Sequence, residues 1–368
     1  MKEIIFARSP HYYNATNSNY SLIELYIWGS KITGQSIPAT PTFTIERIKV
    51  LPDTYLPFDI SGYVKVILDT FSKNTAILED RAVNVTLKFY TSTNYPTVPY
   101  SLVETKEYVA VNGYKKLSEV NTTYNLNTVF PLISQTEILN WYKKNATDDG
   151  QNMTVLIDHD GTTEYRSRYE SLTGTGTKEF TLLDSGDAAG IYVVDIPVAK
   201  YTASFSGNDD NGHFLKIRNH TTTTTLYTWN VKPTFESRYT PIRVGYVNEF
   251  GGNDVINFYK KSNISSQIKS EKYKVSTLPT VPFVFGFQTE KKINVNGVQN
   301  LQANTGWVNE IFYNKIESLL LSEKVQLYDY LTPKDFLTVK TETLKKQVLD
   351  DGLINYAIDF EYQTALIL

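Results

Sequence analysis

The chain contains no cysteine among its 368 residues. Disulfide scaffolding, thiolate catalysis and Cys-ligated zinc are therefore excluded. A chain this long buries enough apolar surface to fold without such staples, and its length suits about two to three domains. Histidine is scarce as well, with four residues: His11, His159, His213 and His220. No two of them stand four apart, the spacing that places two imidazoles on one helical face for zinc, so they are read as structural or surface residues. An excess of one charge is also missing. Lys and Arg total 36 against 39 Asp and Glu, a formal net charge of -3. Such a balance argues against a surface built to neutralise a long phosphate track, and hence against nucleic acid as a specific ligand.

Long apolar runs are absent too. Stretches such as Val281 to Phe287 fall far short of the roughly 20 residues that span a bilayer. The early run Ile4-Ile5-Phe6-Ala7 is broken by Arg8 and is too short for a secretory signal. The expectation is a protein made in a cytoplasm, with no membrane partner. Sequons such as Asn14-Ala15-Thr16 and Asn84-Val85-Thr86 then read as a by-product of Asn and Thr richness.

Signatures of catalysis are equally lacking. There is no Gly-Lys dipeptide for a phosphate-binding loop. Gly174 and Gly176 begin a G-x-G, but Glu179 stands where the third glycine belongs. No G-x-S-x-G elbow occurs. Asp158-His159-Asp160-Gly161 starts like a calcium loop. Its sixth and twelfth positions are Thr163 and Tyr169, where calcium needs glycine and a bidentate glutamate, so a hairpin turn is expected instead. Asp209 and Asp210, in the loop 207–212, are the one place where a weak cation site is conceivable. No catalytic, metal-binding or cofactor-binding set emerges, and the chain reads as a non-enzyme without cofactors. A carboxylate pair for glycoside hydrolysis stays open, because such pairs lie far apart in sequence.

What the chain has in quantity is aromatic residues, 27 Tyr with 18 Phe and 4 Trp, while charged residues make up only 20%. Disordered chains show the opposite bias. Tyrosine joins a large apolar area to a polar tip, which suits both strands and surfaces that meet other proteins or glycans. The dominant period is two. Val83, Val85, Leu87 and Phe89 share one face of Ala82 to Tyr90, with Asn84, Thr86, Lys88 and Tyr90 on the other. Ile354, Tyr356, Ile358, Phe360 and Tyr362 form a second such face, a candidate for core or assembly. Further strands are expected at Leu22 to Trp28, Tyr63 to Leu68, Val155 to Asp158, Ile191 to Val194, Leu226 to Val231, Ile242 to Val247 and Phe283 to Phe287. Asn112-Gly113, Asp160-Gly161, Asn296-Gly297 and Asp351-Gly352 are dipeptides that suit tight hairpins. Helices are expected near 135–145, after the capping-box spacing of Ser134 and Glu137, and near 308–321.

These signals predict a mainly β, antiparallel, multidomain protein with few short helices. The strand spacing within residues 1–118 fits an immunoglobulin- or fibronectin-like β-sandwich. A β-rich middle domain with long loops follows at 125–280, and a C-terminal β domain with one helix at 281–368.

Two segments carry a resemblance. Gly245 to Phe258, which reads as strand, turn at Gly251-Gly252, strand, is similar to an element of tail-region structural proteins of crAss-like and related phages infecting Bacteroidetes. The stretch from Thr305-Gly306-Trp307 through Leu319-Leu320-Leu321 to Tyr356–Tyr362 has a similar look, and the opening Ala7-Arg8-Ser9-Pro10 also fits. The resemblance covers about a third of the chain. It implies a non-enzymatic virion component, a tail, hub or ring protein. Its implied partners are other virion proteins and further copies of itself in a symmetric ring. A receptor- or glycan-binding adhesin is the alternative, and a glycan hydrolase stands behind that.

Overall fold

The computed structural model describes residues 1–16, 20–29, 37–48, 55–72, 82–92, 100–119, 121–133, 139–142, 152–172, 176–198, 212–234, 238–274, 290–309, 312–329, 332–344, 353–363 and 366–367. The protein is mainly β, with several largely antiparallel sheets and two short α-helices. Where the sequence pattern divides the chain at about 118–125 and at 280, the structure forms two compact units. One comprises Met1–Phe235 with Val247–Asp254; the other comprises Glu236–Tyr246 with Val255–Leu368.

The first unit is layered. Its six-stranded sheet runs in the order Phe43–Ile48, Tyr20–Gly29, Ala82–Ser92, Ser101–Val111, Lys2–Phe6, Asn125–Leu126. Lys2–Phe6 lies parallel to Ser101–Val111, and the remaining pairs are antiparallel. One face of this sheet is covered by the helix Ser61–Ser72 and by the ribbon of Tyr12–Thr16 paired with Tyr55–Asp59. The other face packs, through Ile4, Phe6, Val109 and Val111, on Phe130, Leu132, Leu156 and Ile191. Those partners sit around a three-stranded sheet of Val129–Pro131, Asn152–His159 and Gly190–Pro197. Residues on both sides of position 120 thus share one core, which is why no boundary falls there. The far face of the three-stranded sheet packs on a five-stranded one built from Leu139–Tyr142, Thr224–Thr234, His213–Asn219, Tyr165–Ser171 and Thr177–Leu183. Asn152–His159 is accordingly buried on both faces.

Several sequence expectations are revised here. Tyr63 to Leu68 is helical, not extended. Ile60, Val64 and Leu68 recur every four residues and are all buried, worth about 1.5–3 kcal/mol each. The Asp59 carboxylate accepts the Ser61 N–H at 3.1 Å and so satisfies a donor at the helix start. Leu139–Tyr142, expected to be helical, is a strand parallel to Val231–Thr234. Its Trp and Tyr favour extended backbone, and the edge of Thr224–Thr234 supplies the hydrogen bonds. The capping-box residues themselves lie outside the described residues. In Ala82–Ser92 the polar residues Asn84 and Thr86 are buried as well, because the second face is covered by the next layer.

The expected tight hairpins differ too. Asn112-Gly113 follows a strand end, and its neighbours bond elsewhere: Arg8 N–H donates to Gly113 O and Tyr114 N–H to Glu249 O. Asp160-Gly161 links strands of two different sheets. Asn296-Gly297 lies inside the long strand Glu290–Asn309, paired with Lys269 and Ile268. Asp351-Gly352 and the Phe283 to Phe287 strand lie outside the described residues. One hairpin that the dipeptides miss joins His213–Asn219 to Thr224–Thr234. There Asn219 Oδ1 accepts the Thr222 N–H at 3.0 Å and Thr223 adopts a positive φ of 59°.

The second unit centres on an eight-stranded sheet. Its order is Asn253–Phe258, Ile242–Val247, Val325–Asp329, Thr332–Val339, Leu353–Tyr362, Glu290–Asn309, Asn263–Lys274, with Leu366–Ile367 added to Glu290–Asn309. The helix Phe312–Leu320, expected over 308–321, packs Ile316 and Leu319 into the core of this sheet. Val308 belongs instead to the strand before it.

Candidate functional site

Three features stand out. The first is a cleft of about 370 Å³ in the first unit. One wall is the stretch from His11 to Asn14, at the start of the two-stranded ribbon. The opposite wall comes from Ser101–Val111, where Glu104, Lys106 and Tyr108 alternate along the strand, and Glu3 adds a side chain from the neighbouring strand. Parallel pairing sets Glu3 directly beside Tyr108. Tyr13 donates its hydroxyl to Glu104 Oε2 at 2.6 Å, and Lys106 lies 3.4 Å from Glu104 Oε1 and over the Tyr13 ring. His11 meets the edge of Tyr108 at 5.4 Å between ring centres, and its Nε2 is 3.9 Å from Glu3 Oε1. Asp59 fixes the His11 backbone N–H at 3.2 Å.

The electrostatics follow from burial. It lowers the His11 pKa to about 4, with Lys115 and Lys106 adding to the effect and Asp59 opposing it. It raises the Glu3 carboxyl, against the pull of Lys115 and Lys106. It also raises the Tyr13 and Tyr108 hydroxyls, helped by Glu104 in the first case and by Glu3 and Glu104 in the second. At neutral pH His11 is an uncharged imidazole among two glutamates and a lysine.

The second feature is the turn of the Gly245 to Phe258 segment. Its tip, Val247–Asp254, belongs to the first unit. Asn248 is buried; its Nδ2 donates to Leu132 O at 2.7 Å, while Oδ1 accepts the N–H groups of Phe250 and Gly252, each at 3.0 Å. Phe250 packs edge-on against Phe6, Tyr124 and Phe130. Gly251 has φ +81°, and Gly252 lies where a Cβ would stand 2.5 Å from Leu132 O. Both glycine candidates therefore serve a closely packed turn.

The third is the strand Asn263–Lys274, exposed along its whole length. It pairs on one side with Glu290–Asn309 and, among the described residues, has no partner on the other. Ile264 and Ile268 lie on one of its faces at 58% and 60% exposure.

The remaining sequence candidates find structural places. Ile354, Tyr356, Ile358 and Phe360 are buried in the second unit's core and Tyr362 is half-buried; Phe360 meets Phe258 edge-on. His159 and His213 are buried, with Nε2 atoms 2.8 Å from the carbonyls of Thr163 and Val198. Asp160 accepts from Thr162 and Thr163 and holds the turn. Glu179 lies in a network with Arg166, Arg168 and Arg218. The Asp209-Asp210 loop lies outside the described residues. Among the described residues no group of three His, Asp or Glu side chains could hold a metal ion, and no helix is long and apolar enough to cross a membrane. Sequence reasoning missed the cleft, because its walls come from four separated stretches; the only local sign was the Tyr12-Tyr13 pair.

No family model matches the chain, and no curated protein is similar to it.

Proposed function

We propose that this chain is a non-enzymatic structural component of a tailed-phage virion, a tail, hub or ring protein that works as one copy in a symmetric assembly with other virion proteins. The observation that carries this reading is the strand Asn263–Lys274. It is twelve residues long and exposed throughout, and its outer edge is unpaired among the described residues. A long open edge with apolar side chains is a template for another chain, and a lone protein normally blunts it. The resemblance of Gly245 to Phe258 and of the C-terminal stretch to phage tail proteins supports the same reading.

Sedimentation velocity of the purified chain tests it. The wild type is expected to form a discrete multi-copy species, and the double variant Ile264→Asp, Ile268→Asp to run as a folded monomer of 41.9 kDa. Both positions are exposed, so the fold tolerates the change. A wild type that stays monomeric up to its solubility limit contradicts the proposal.

A further inference from the structure

We propose that the cleft between the His11 to Asn14 stretch and the strand Ser101–Val111 is a saccharide-binding site for one or two sugar rings. The key residue is Tyr108. It is 4% exposed and lines the cleft, and among the described residues its hydroxyl has no hydrogen-bond partner. The ring is buried while the hydroxyl opens onto the cleft, where a ligand can reach it. Glu3 lines the same cleft with its side chain partly open, and His11 Nε2 stands 3.9 Å from its Oε1, beyond hydrogen-bond reach. Among the described residues the His11 imidazole makes no hydrogen bond either.

The kind of ligand follows from the mixture. Glu3 and Glu104 repel anions, and Lys106 repels cations. The carboxylates accept, Lys106 donates, and a neutral imidazole and a phenol do both. An uncharged molecule whose groups both donate and accept fits this set, and a sugar ring carries several such hydroxyls. At the rim Tyr12 and Val103 are 57% and 59% exposed, giving apolar surface for the C–H face of a ring. The volume of about 370 Å³ is at the small end of ligand pockets. This site is independent of the assembly reading, and the isolated full chain is enough to test it.

The test is saturation-transfer NMR with D-glucose, D-galactose, D-mannose and N-acetyl-D-glucosamine as probes, and spermidine as a cationic control. At least one sugar is expected to bind with a Kd on the order of 1 mM, the strength of a few hydrogen bonds. Tyr108→Phe and Glu3→Gln should each weaken it tenfold or more while leaving the thermal transition cooperative and the melting temperature close to wild type. Glu361→Gln, in the other unit, should leave binding unchanged. Three results overturn the proposal: no binding of any of the four sugars, sugar binding that survives both cleft substitutions, or binding of spermidine alone.

Discussion

At the residue scale, burial and close backbone approach decide most outcomes. Gly251 has a left-handed φ and sits with Asn112 N 3.0 Å from where its Cβ would be. Gly251→Ala is expected to destabilise the first unit by about 1–3 kcal/mol, through φ strain and displaced backbone. Asn248→Ala should cost a similar amount, about 3 kcal/mol, because three backbone groups, two of them in buried bonds, lose their partner. Urea denaturation of each variant measures both. His11 offers a separate check. Its folded pKa is lowered, so the unfolded chain takes up the proton first. Its contribution to stability should therefore fall as the pH drops from about 6.5 to about 4 and change no further below that. An NMR titration should show the His11 ring protonating near pH 4; a midpoint near 6.5 would mean that the cleft is open to water.

At the element scale, the C-terminal strand carries the largest load. Leu353–Tyr362 pairs with Glu290–Asn309 on one side and Thr332–Val339 on the other. Ending the chain before Leu353 removes Ile354, Tyr356, Ile358 and Phe360 from the core, each worth about 1.5–3 kcal/mol. Together that rivals the whole net stability of a domain, about 5–15 kcal/mol. The truncated chain is expected in the insoluble fraction. Asp359→Asn, on the exposed face, where the carboxylate accepts from Gln302 Nε2 at 2.9 Å, should shift stability by less than about 0.5 kcal/mol. A soluble, cooperatively melting truncation would show the strand to be dispensable.

The five-stranded sheet supplies a pH effect at the same scale. Burial pushes Glu170 and Glu179 up, but hydrogen bonds and charge from Lys216 and Arg168 at Glu170, and from Arg218 and Arg168 at Glu179, outweigh it and leave both below the usual carboxylate range. Groups lowered in this way stabilise above their unfolded pKa of about 4.3 and lose that contribution as the pH falls through the folded value. The denaturation midpoint should therefore drop below about pH 5, and Glu179→Gln should flatten the drop. An acid limb identical in wild type and variant would show that the network does not set the acid stability.

How much of this was legible in the sequence depends on where each signal came from. Strands with strict alternation, such as Leu353–Tyr362, were readable because one face is buried and the other exposed. The helix Ser61–Ser72 was not, since Tyr63, Val64 and Val66 favour strands and only the spacing of Ile60, Val64 and Leu68 gives it away. The Asn-Gly and Asp-Gly pairs signalled bends and close approaches rather than hairpins, because a glycine also serves wherever another backbone comes near, as Glu249 O does at Gly113. The cleft left almost no local trace, because tertiary pairing alone brings Glu3 beside Tyr108.

At the scale of the whole molecule, each unit closes its own core, yet among the described residues the second leaves one long strand uncovered. In a protein with a nearly balanced charge and so many tyrosines, such a strand is the basis of the proposal that neighbouring chains cover it. The virion reading is tested most directly by a cryo-electron microscopy reconstruction of intact particles from the host that produces this chain. Density for it is expected in several symmetry-related copies, with Asn263–Lys274 paired against or packed on an adjacent chain. Particles that lack the chain, or hold it with that strand facing solvent, would contradict it.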